Sequence, residues 1–319
     1  MQVSVVIPTY NRAKDLDACL SSISAQTILP KEIIIVDDSE TDEIKNLIEQ
    51  RKEDFRKKNI LLKYIRNRRE RSLAIARNIG IENATGDIIL FLDSDVILDK
   101  NYIKEILKVY KEKPNALGVQ GYITSTYNPS ELTNMIRKFL FIEHWEKNAC
   151  RVLPSTCPVS PNFVDRVISC EWLSGCNQSY KKKILEKYKF DENLKRYSFK
   201  EDMDLSYRIF KKYPNSLFMT PHAKLIHNVS QSGRLPKKEL IYMKEIYSLY
   251  FFYKNIEQTV KNKLIYLWSR IGYLFFKSIE QRQHRFLHFK YLIGAYITCL
   301  RNLKRIREGD LEFFNKTLR

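Results

Sequence analysis

Two carboxylates one residue apart, Asp93 and Asp95, close a short apolar run at residues 88–92. Behind Gly86-Asp87, such a run reads as a strand buried on both faces. Side chains at the carboxyl end of a central parallel strand open into the crevice where ligands bind, so both aspartates would meet solvent there. Carboxylates that close repel unless a cation lies between them. Mg²⁺ or Mn²⁺, hard ions that take oxygen ligands and bridge to phosphate, suit the place. The plainer alternative is a strand-ending turn in which an Asp caps a helix. A second acidic pair, Asp37-Asp38, follows the apolar residues 31–36 in the same way.

The elements that must hold these carboxylates follow from periodicity. Residues 3–7 form a β-branched strand that ends at Pro8, because proline cannot continue a central strand. Residues 14–25 read as a helix, with Leu16, Leu20 and Ile23 near helical spacing. Residues 31–36 form a second strand, 41–53 a polar helix and 61–65 a third strand. A small-residue helix at 71–84 carries Arg77, Asn78 and Gly80 and leads into the Asp93 strand. This alternation specifies an α/β fold with a doubly wound, mostly parallel sheet. No Gly-x-Gly-x-x-Gly follows the first strand, which argues against a dinucleotide fold. Farther on, Tyr127-Asn128-Pro129 reads as a turn, residues 132–145 as a helix, and Pro154, Pro158 and Pro161 mark an irregular loop.

A chain of 319 residues with 44% hydrophobic positions can bury a large core. No run of 18 apolar residues suggests a transmembrane helix. The first residues enter a strand without a signal-peptide pattern, so a cytoplasmic protein, peripheral at the inner face of the cell membrane, is expected. The net charge of +18 suits an anionic partner, whether membrane lipid, nucleic acid or phosphorylated substrate, or a lysine-rich solvated surface. Cysteines 150, 157, 170 and 176 lack the tight spacing of a zinc site. Residues 237–319 hold 17 Lys and Arg against 7 Asp and Glu. Leu264, Leu267, Trp268, Ile271, Leu274 and Phe275 keep helical spacing there, as do Phe289, Leu292, Ile293, Tyr296, Leu300 and Leu303. These read as basic amphipathic helices that contact an anionic membrane, or pack on the protein or a homo-oligomer partner. No recognition motif supports nucleic-acid binding.

Residues 3–12 (VSVVIPTYNR), 34–39 (IIVDDS), 76–80 (ARNIG) and 91–95 (FLDSD) resemble glycosyltransferase family 2. Later stretches match as well: 171–177 (EWLSGCN), 190–192 (FDE) and 201–208 (EDMDLSYR). The resemblance covers about the first 230 residues and implies the GT-A fold, nucleotide-sugar donors and inversion. With the change to basic, aromatic-rich sequence after about residue 236, the chain divides into a catalytic domain, 1–236, and a C-terminal helical extension, 237–319. Within the former, 1–120 would bind the nucleotide sugar and 121–236 the acceptor, with 121–170 lining or covering the acceptor site. Pro8, Thr9 and Asn11 would border the nucleotide, Asp38 would bond the base, and Arg77 would lie against the base or the diphosphate. Asp93 would contact the ribose or the metal shell, and Asp95 and His227 would ligate Mn²⁺ or Mg²⁺. The family commonly carries Asp-Asp-Gly-Ser where this chain has Asp37-Asp38-Ser39-Glu40, so an easy positive-φ position is missing.

The chemistry asks for the same parts. A departing diphosphate needs its charge neutralised, which a divalent cation does as a Lewis acid. An attacking hydroxyl needs a general base on the opposite face of the sugar. Asp202 is the candidate, with Glu201 positioning it or the acceptor. An acidic helix start, favoured by the helix dipole, is the alternative for this pair. The dipole and nearby cations would keep Asp202 ionised. Arg208 is expected to be a structural ion partner. The resulting expectation is an inverting, metal-dependent transferase using a nucleotide sugar, foremost a UDP-sugar. The acceptor would be a glycan or lipid-linked glycan, in surface polysaccharide or glycoconjugate synthesis. Alternatives are a polyprenyl-phosphate glycosyltransferase, whose acceptor needs no base, and a non-catalytic nucleotide-sugar-binding membrane scaffold.

Overall fold

A computed structural model describes residues 1–125, 129–230, 235–277 and 285–317. Tyr127 and Asn128 of the expected turn lie outside the described residues. The chain divides into two compact units. The first comprises Met1–Thr126, Val164–Tyr197 and Glu201–Arg234; the second comprises Tyr127–Phe163, Ser198–Lys200 and Leu235–Arg319.

The first unit begins with the alternation read from the sequence: β1 (Val3–Thr9), α1 (Ala13–Ser24), β2 (Glu32–Asp37), α2 (Glu43–Lys57), β3 (Leu61–Arg66), α3 (Leu73–Asn83) and β4 (Ile88–Phe91). Then follow β5 (Val96–Leu98), α4 (Tyr102–Glu112) and β6 (Gly118–Ile123). After the excursion into the second unit come β10 (Ile168–Ser169), β11 (Gln178–Lys181), α6 (Lys182–Leu185), α7 (Glu201–Lys212) and β12 (Leu217–His227). Among the described residues the main sheet runs β10-β12-β6-β11-β4-β1-β2-β3, with β5 on β12. β1, β2, β3 and β4 are mutually parallel, whereas β11 runs antiparallel between β4 and β6. Because the chain winds outward through β2 and β3 and then returns to β4, the switch point lies between β1 and β4. Ligand sites form beside such a switch point.

Alternation along the strands sets the two layers. Val5, Ile7, Ile33, Ile35 and Leu90 share a core with Leu16, Leu20, Ile44, Ile48 and Ile106 from α1, α2 and α4. Val6 points to the other face, against α3. A Cβ on Gly80 would stand 2.2 Å from Val6 Cγ1, so only glycine lets α3 lie this close to β1. That approach brings Arg77, on the same helix, under the sheet's carboxyl end.

β1 does not stop at Pro8: pairing with β2 continues through Pro8 and Thr9. The ladder to β4 ends at Val6, whose carbonyl faces that side and accepts from Leu92 N–H. Pro8 has the same parity, so its missing donor faces the side where pairing has already ended, and no ladder bond is lost.

In the second unit, α5 covers only Glu131–Phe139, shorter than the expected 132–145 helix. Phe141 turns the chain at φ +51°, and His144–Glu146 becomes strand β7. Ile142 and Trp145 keep helical spacing yet are buried in the turn and strand that follow the helix. β8 (Arg151–Val152) and β9 (Pro158–Pro161) complete a three-stranded sheet, ordered β7-β9-β8. α8 (Lys237–Asn255), α9 (Val260–Gly272), a π-helical turn (Tyr273–Lys277) and the helix Arg285–Arg301 follow. A buried ion pair, Arg270 Nη1 to Glu245 Oε2 at 3.0 Å, ties α9 to α8.

Candidate active site

The strand ends deliver the acidic residues to one place. β5 pairs antiparallel with β12, placing His227 opposite Val96. His227 Nε2 therefore sits 3.2 Å from Asp95 Oδ1, although the two are far apart in sequence. Ligand atoms of Asp93, Asp95 and His227 all lie within 4.8 Å of one another. The residue after Asp95 starts a strand, so the helix-cap alternative does not hold. Asp95 is not open to solvent as expected. It is 4% exposed, and Oδ2 accepts from Ser230 N–H at 2.9 Å and Arg12 Nη1 at 3.2 Å. Asp93 is the more accessible of the two.

Burial works against an ionised Asp95, but the bonds from His227 and Ser230 prevail and hold it below the usual carboxylate range. Burial also disfavours charge on His227. The bond to Asp95 and the neighbouring Cys176 outweigh it and push His227 up to about 10. With no cation bound, His227 thus carries a proton that a ligated cation would replace. Two carboxylates and an imidazole suit Mn²⁺ well, since oxygen donors predominate and a neutral imidazole completes the set.

The acidic pair Glu201-Asp202 starts α7. Glu201 is buried and accepts from Arg77 Nη1 at 2.6 Å. Asp202 accepts Gly175 N–H on Oδ2 and Met203 N–H on Oδ1, each at 2.7 Å. A Cβ on Gly175 would stand 2.9 Å from Arg77 Nη2, so a side chain there would push the guanidinium aside. Arg77, expected beside the base or the diphosphate, is 1% exposed. Its Nη2 reaches Gly175 O at 2.9 Å and Asp93 Oδ1 at 3.2 Å, and its guanidinium lies over the Phe190 ring at 5.3 Å. One guanidinium thus serves Glu201 and Asp93 directly, with Asp202 close by. Burial raises both acids of the pair. Burial and the charge of Asp202 push Glu201 up to about 7 despite Arg77. Burial raises Asp202 as well, against Arg77 and the two backbone donors. The helix start and nearby cations, expected to favour the ionised Asp202, are thus opposed by a larger desolvation.

The remaining crevice residues surround the end of β1. Pro8 and Thr9 are buried, and the Thr9 hydroxyl is enclosed without a hydrogen-bond partner among the described residues. Asn11 takes φ +54° and gives its N–H to Ser39 Oγ at 2.8 Å. Ser39 in turn bonds Asp37 Oδ1 through its own N–H at 2.8 Å. None of residues 38–42 has positive φ, so the missing glycine leaves this loop unstrained. Asp38 accepts from Asn67 Nδ2 at 2.6 Å, yet burial raises it to about 6. Arg71 donates to Tyr10 Oη at 2.7 Å and stacks over its ring at 4.6 Å, beside Asp38. Sequence reasoning assigned no role to Arg12, Asn67, Arg71, Gly175 or Ser230. Arg12 lies in a recognisable motif, but only the fold pairs it with Asp95. Ser230 and Gly175 act through backbone N–H groups, which no residue type announces. Arg208 bonds Asp204 one helical turn away at 2.9 Å, as expected.

The model of "Glycosyl transferase family 2" matches residues 4–189. An uncharacterised glycosyltransferase of Rickettsia conorii is 40% identical over 111 residues, 35% of this chain; the match spans only 17% of that protein's length. Staphylococcus aureus TarS 1–349 in complex with UDP-GlcNAc superposes with a TM-score of 0.56 at 17% identity, over 98% of this chain and 89% of that one. The mannosyltransferase PcManGT of Pyrobaculum calidifontis, in complex with GDP-Man and Mn²⁺, superposes with a TM-score of 0.58 at 16% identity, over 94% and 87%. The fold is the GT-A arrangement that the motifs imply.

Proposed function

This chain belongs to glycosyl transferase family 2, and from that premise we propose that it is an inverting, metal-dependent glycosyltransferase. It moves a sugar from a nucleotide-sugar donor, foremost a UDP-sugar, to a hydroxyl of a glycan or lipid-linked glycan acceptor. The setting is synthesis of a surface polysaccharide or glycoconjugate at the inner face of the cell membrane. The observation that carries this reading is the shared guanidinium. Arg77 joins Asp93, of the Asp93–Asp95–His227 group, to Glu201, beside Asp202. Donor-side and acceptor-side carboxylates are thereby held in one frame.

In this reading Asp95, His227 and Asp93 hold Mn²⁺ or Mg²⁺, which supplies Lewis-acid stabilisation of the departing diphosphate. Pro8, Thr9 and Asn11 border the nucleotide, and the Thr9 hydroxyl, without a hydrogen-bond partner among the described residues, gains a bond from it. Asp38 accepts from the base. Asp202 takes the proton of the attacking hydroxyl. Its two backbone donors fix the carboxylate, and burial raises its pKa, which makes it a stronger base than a solvated aspartate. Glu201 stays pinned to Arg77 and fixes the start of α7.

A thermal-shift panel of UDP-, GDP- and dTDP-sugars with Mn²⁺ tests the donor side, and NMR of the product anomer tests inversion. Stabilisation by a single nucleotide class, only with the cation present, is expected. The absence of a shift with every nucleotide, or a product that retains the donor's anomeric configuration, would overturn the reading. Turnover restricted to a polyprenyl-phosphate acceptor would select the alternative that dispenses with the base.

A further inference from the structure

We infer that the outward faces of α5 and α9 together form a surface that seats in the headgroup region of an anionic lipid bilayer. The inference rests on the membrane-face setting proposed above. It goes further by assigning the contact to two specific helices, one of which lies outside the basic C-terminal region. An ordinary surface helix turns its apolar stripe inward. α5 does the reverse: Leu132, Met135, Ile136 and Phe139, at i, i+3, i+4 and i+7, are all exposed, with Phe139 at 67%. On α9, Leu264, Leu267, Trp268 and Ile271 likewise face outward, with Leu267 at 58%, while Tyr266, Ser269 and Arg270 are buried on the opposite side. The two stripes are joined. The Phe139 and Trp268 rings meet edge-to-face at 5.6 Å, and the Trp268 indole N–H donates to Phe139 O at 3.0 Å.

The charge around this face selects the occupant. At about 100° per residue, Lys261 and Lys263 flank the α9 stripe on either side, and both are exposed. The region from 237 onward carries 17 Lys and Arg against 7 Asp and Glu. A second copy of this chain would bring the same positive charge against the face, whereas anionic headgroups complement it. No helix among the described residues is long and apolar enough to cross a membrane. A short apolar stripe flanked by lysines instead suits lying in the plane of the interface, and the indole of Trp268, its N–H already bonded, suits the same depth.

Flotation of the full chain with vesicles of phosphatidylcholine alone, and of equal parts phosphatidylcholine and phosphatidylglycerol, tests the surface. The wild type should partition at least about tenfold better onto the anionic vesicles. On binding, Trp268 emission should shift to shorter wavelength, a change lost in Trp268→Phe. Leu267→Glu and Phe139→Glu should each lower partitioning about tenfold or more, since a charge would have to enter the apolar layer. Leu267→Glu should keep the wild-type circular dichroism and its transfer rate to a water-soluble acceptor. If the wild type ignores anionic vesicles, both the surface and the membrane setting fall. If the wild type floats and both Glu variants float equally well, the assignment to α5 and α9 falls, and attachment through other basic helices remains. Self-association of the wild type that Leu267→Glu abolishes, without vesicle binding, gives the face to a second copy and overturns the inference. Transfer to the soluble acceptor is measured separately, so failure of the enzymatic reading would be seen on its own.

Discussion

Replacing Arg77 with Met separates two roles for this arginine: contact with the nucleotide, as the family motifs imply, and support of the acidic cluster. Met preserves much of the length and apolar stem but removes the guanidinium. Glu201, almost fully buried, would lose its 2.6 Å partner, and Asp93 would lose one at 3.2 Å. Stripping one partner from a buried ion pair costs about 3–5 kcal/mol when the orphaned group stays charged. The cost must depend on pH. Glu201 ionises at about 7 in the folded protein against 4.5 in the unfolded chain. Its contribution is therefore fully present below 4.5 and is lost as pH rises through 7. Without Arg77 the folded value moves higher still, so the variant loses this stability over a wider range. The unfolding midpoint of Arg77→Met should fall well below wild type at pH 8, and the gap should narrow steadily toward pH 5, where Glu201 is protonated in both. Urea denaturation followed at several pH values, alongside calorimetric nucleotide affinity at each, measures both quantities. An Arg77→Met protein that unfolds at the wild-type midpoint at pH 8 but binds the nucleotide much more weakly would refute the supporting role. It would return Arg77 to the nucleotide site.

Asp202→Asn should leave donor affinity nearly unchanged while cutting turnover by about two to four orders of magnitude, read by product assays with the true acceptor. Because both Asp202 oxygens accept backbone N–H groups, the Asn amide must face one donor, and a stability loss of about 1–3 kcal/mol should accompany it. Wild-type turnover in that variant would leave Asp202 a helix-start residue only. Asp95→Ala should abolish metal-stimulated transfer; its buried place among Arg12, His227 and Ser230 means that the melting temperature should fall as well. Below pH 10, Mn²⁺ must displace one proton from His227. Apparent Mn²⁺ affinity should therefore rise about tenfold per pH unit between pH 6 and 8, with about one proton released per ion in calorimetry across buffers. A pH-independent affinity would remove His227 from the ligand set.

The four parallel strands and three helices that begin the chain were legible because each carries a local signal. β-Branched runs marked β1 and β2, and a small-residue pattern marked α3. Asp38, Asp93 and Asp95 could be assigned to a crevice because a parallel sheet directs strand carboxyl ends to one edge. The motif order carried the reading on to Glu201-Asp202 and His227, beyond residues 4–189 that the family model matches. What the residues could not reveal was which atoms each acid would meet. His227 reaches Asp95 only through the β5–β12 register. Asp202 is held by the backbone N–H of Gly175, and Arg77 is enclosed by carboxylates from β4 and α7. Protonation depended on that enclosure: desolvation, a property of packing, raised Asp202 where the helix start alone argued for a lower value. The same limit applied to the amphipathic stripes. Helical spacing at Leu264, Leu267 and Ile271 showed that one face of α9 is apolar, and could not show which way it points. Burial of Tyr266 and Arg270 decided it, because the ion pair with Glu245 turns the polar side inward and leaves the apolar stripe outside.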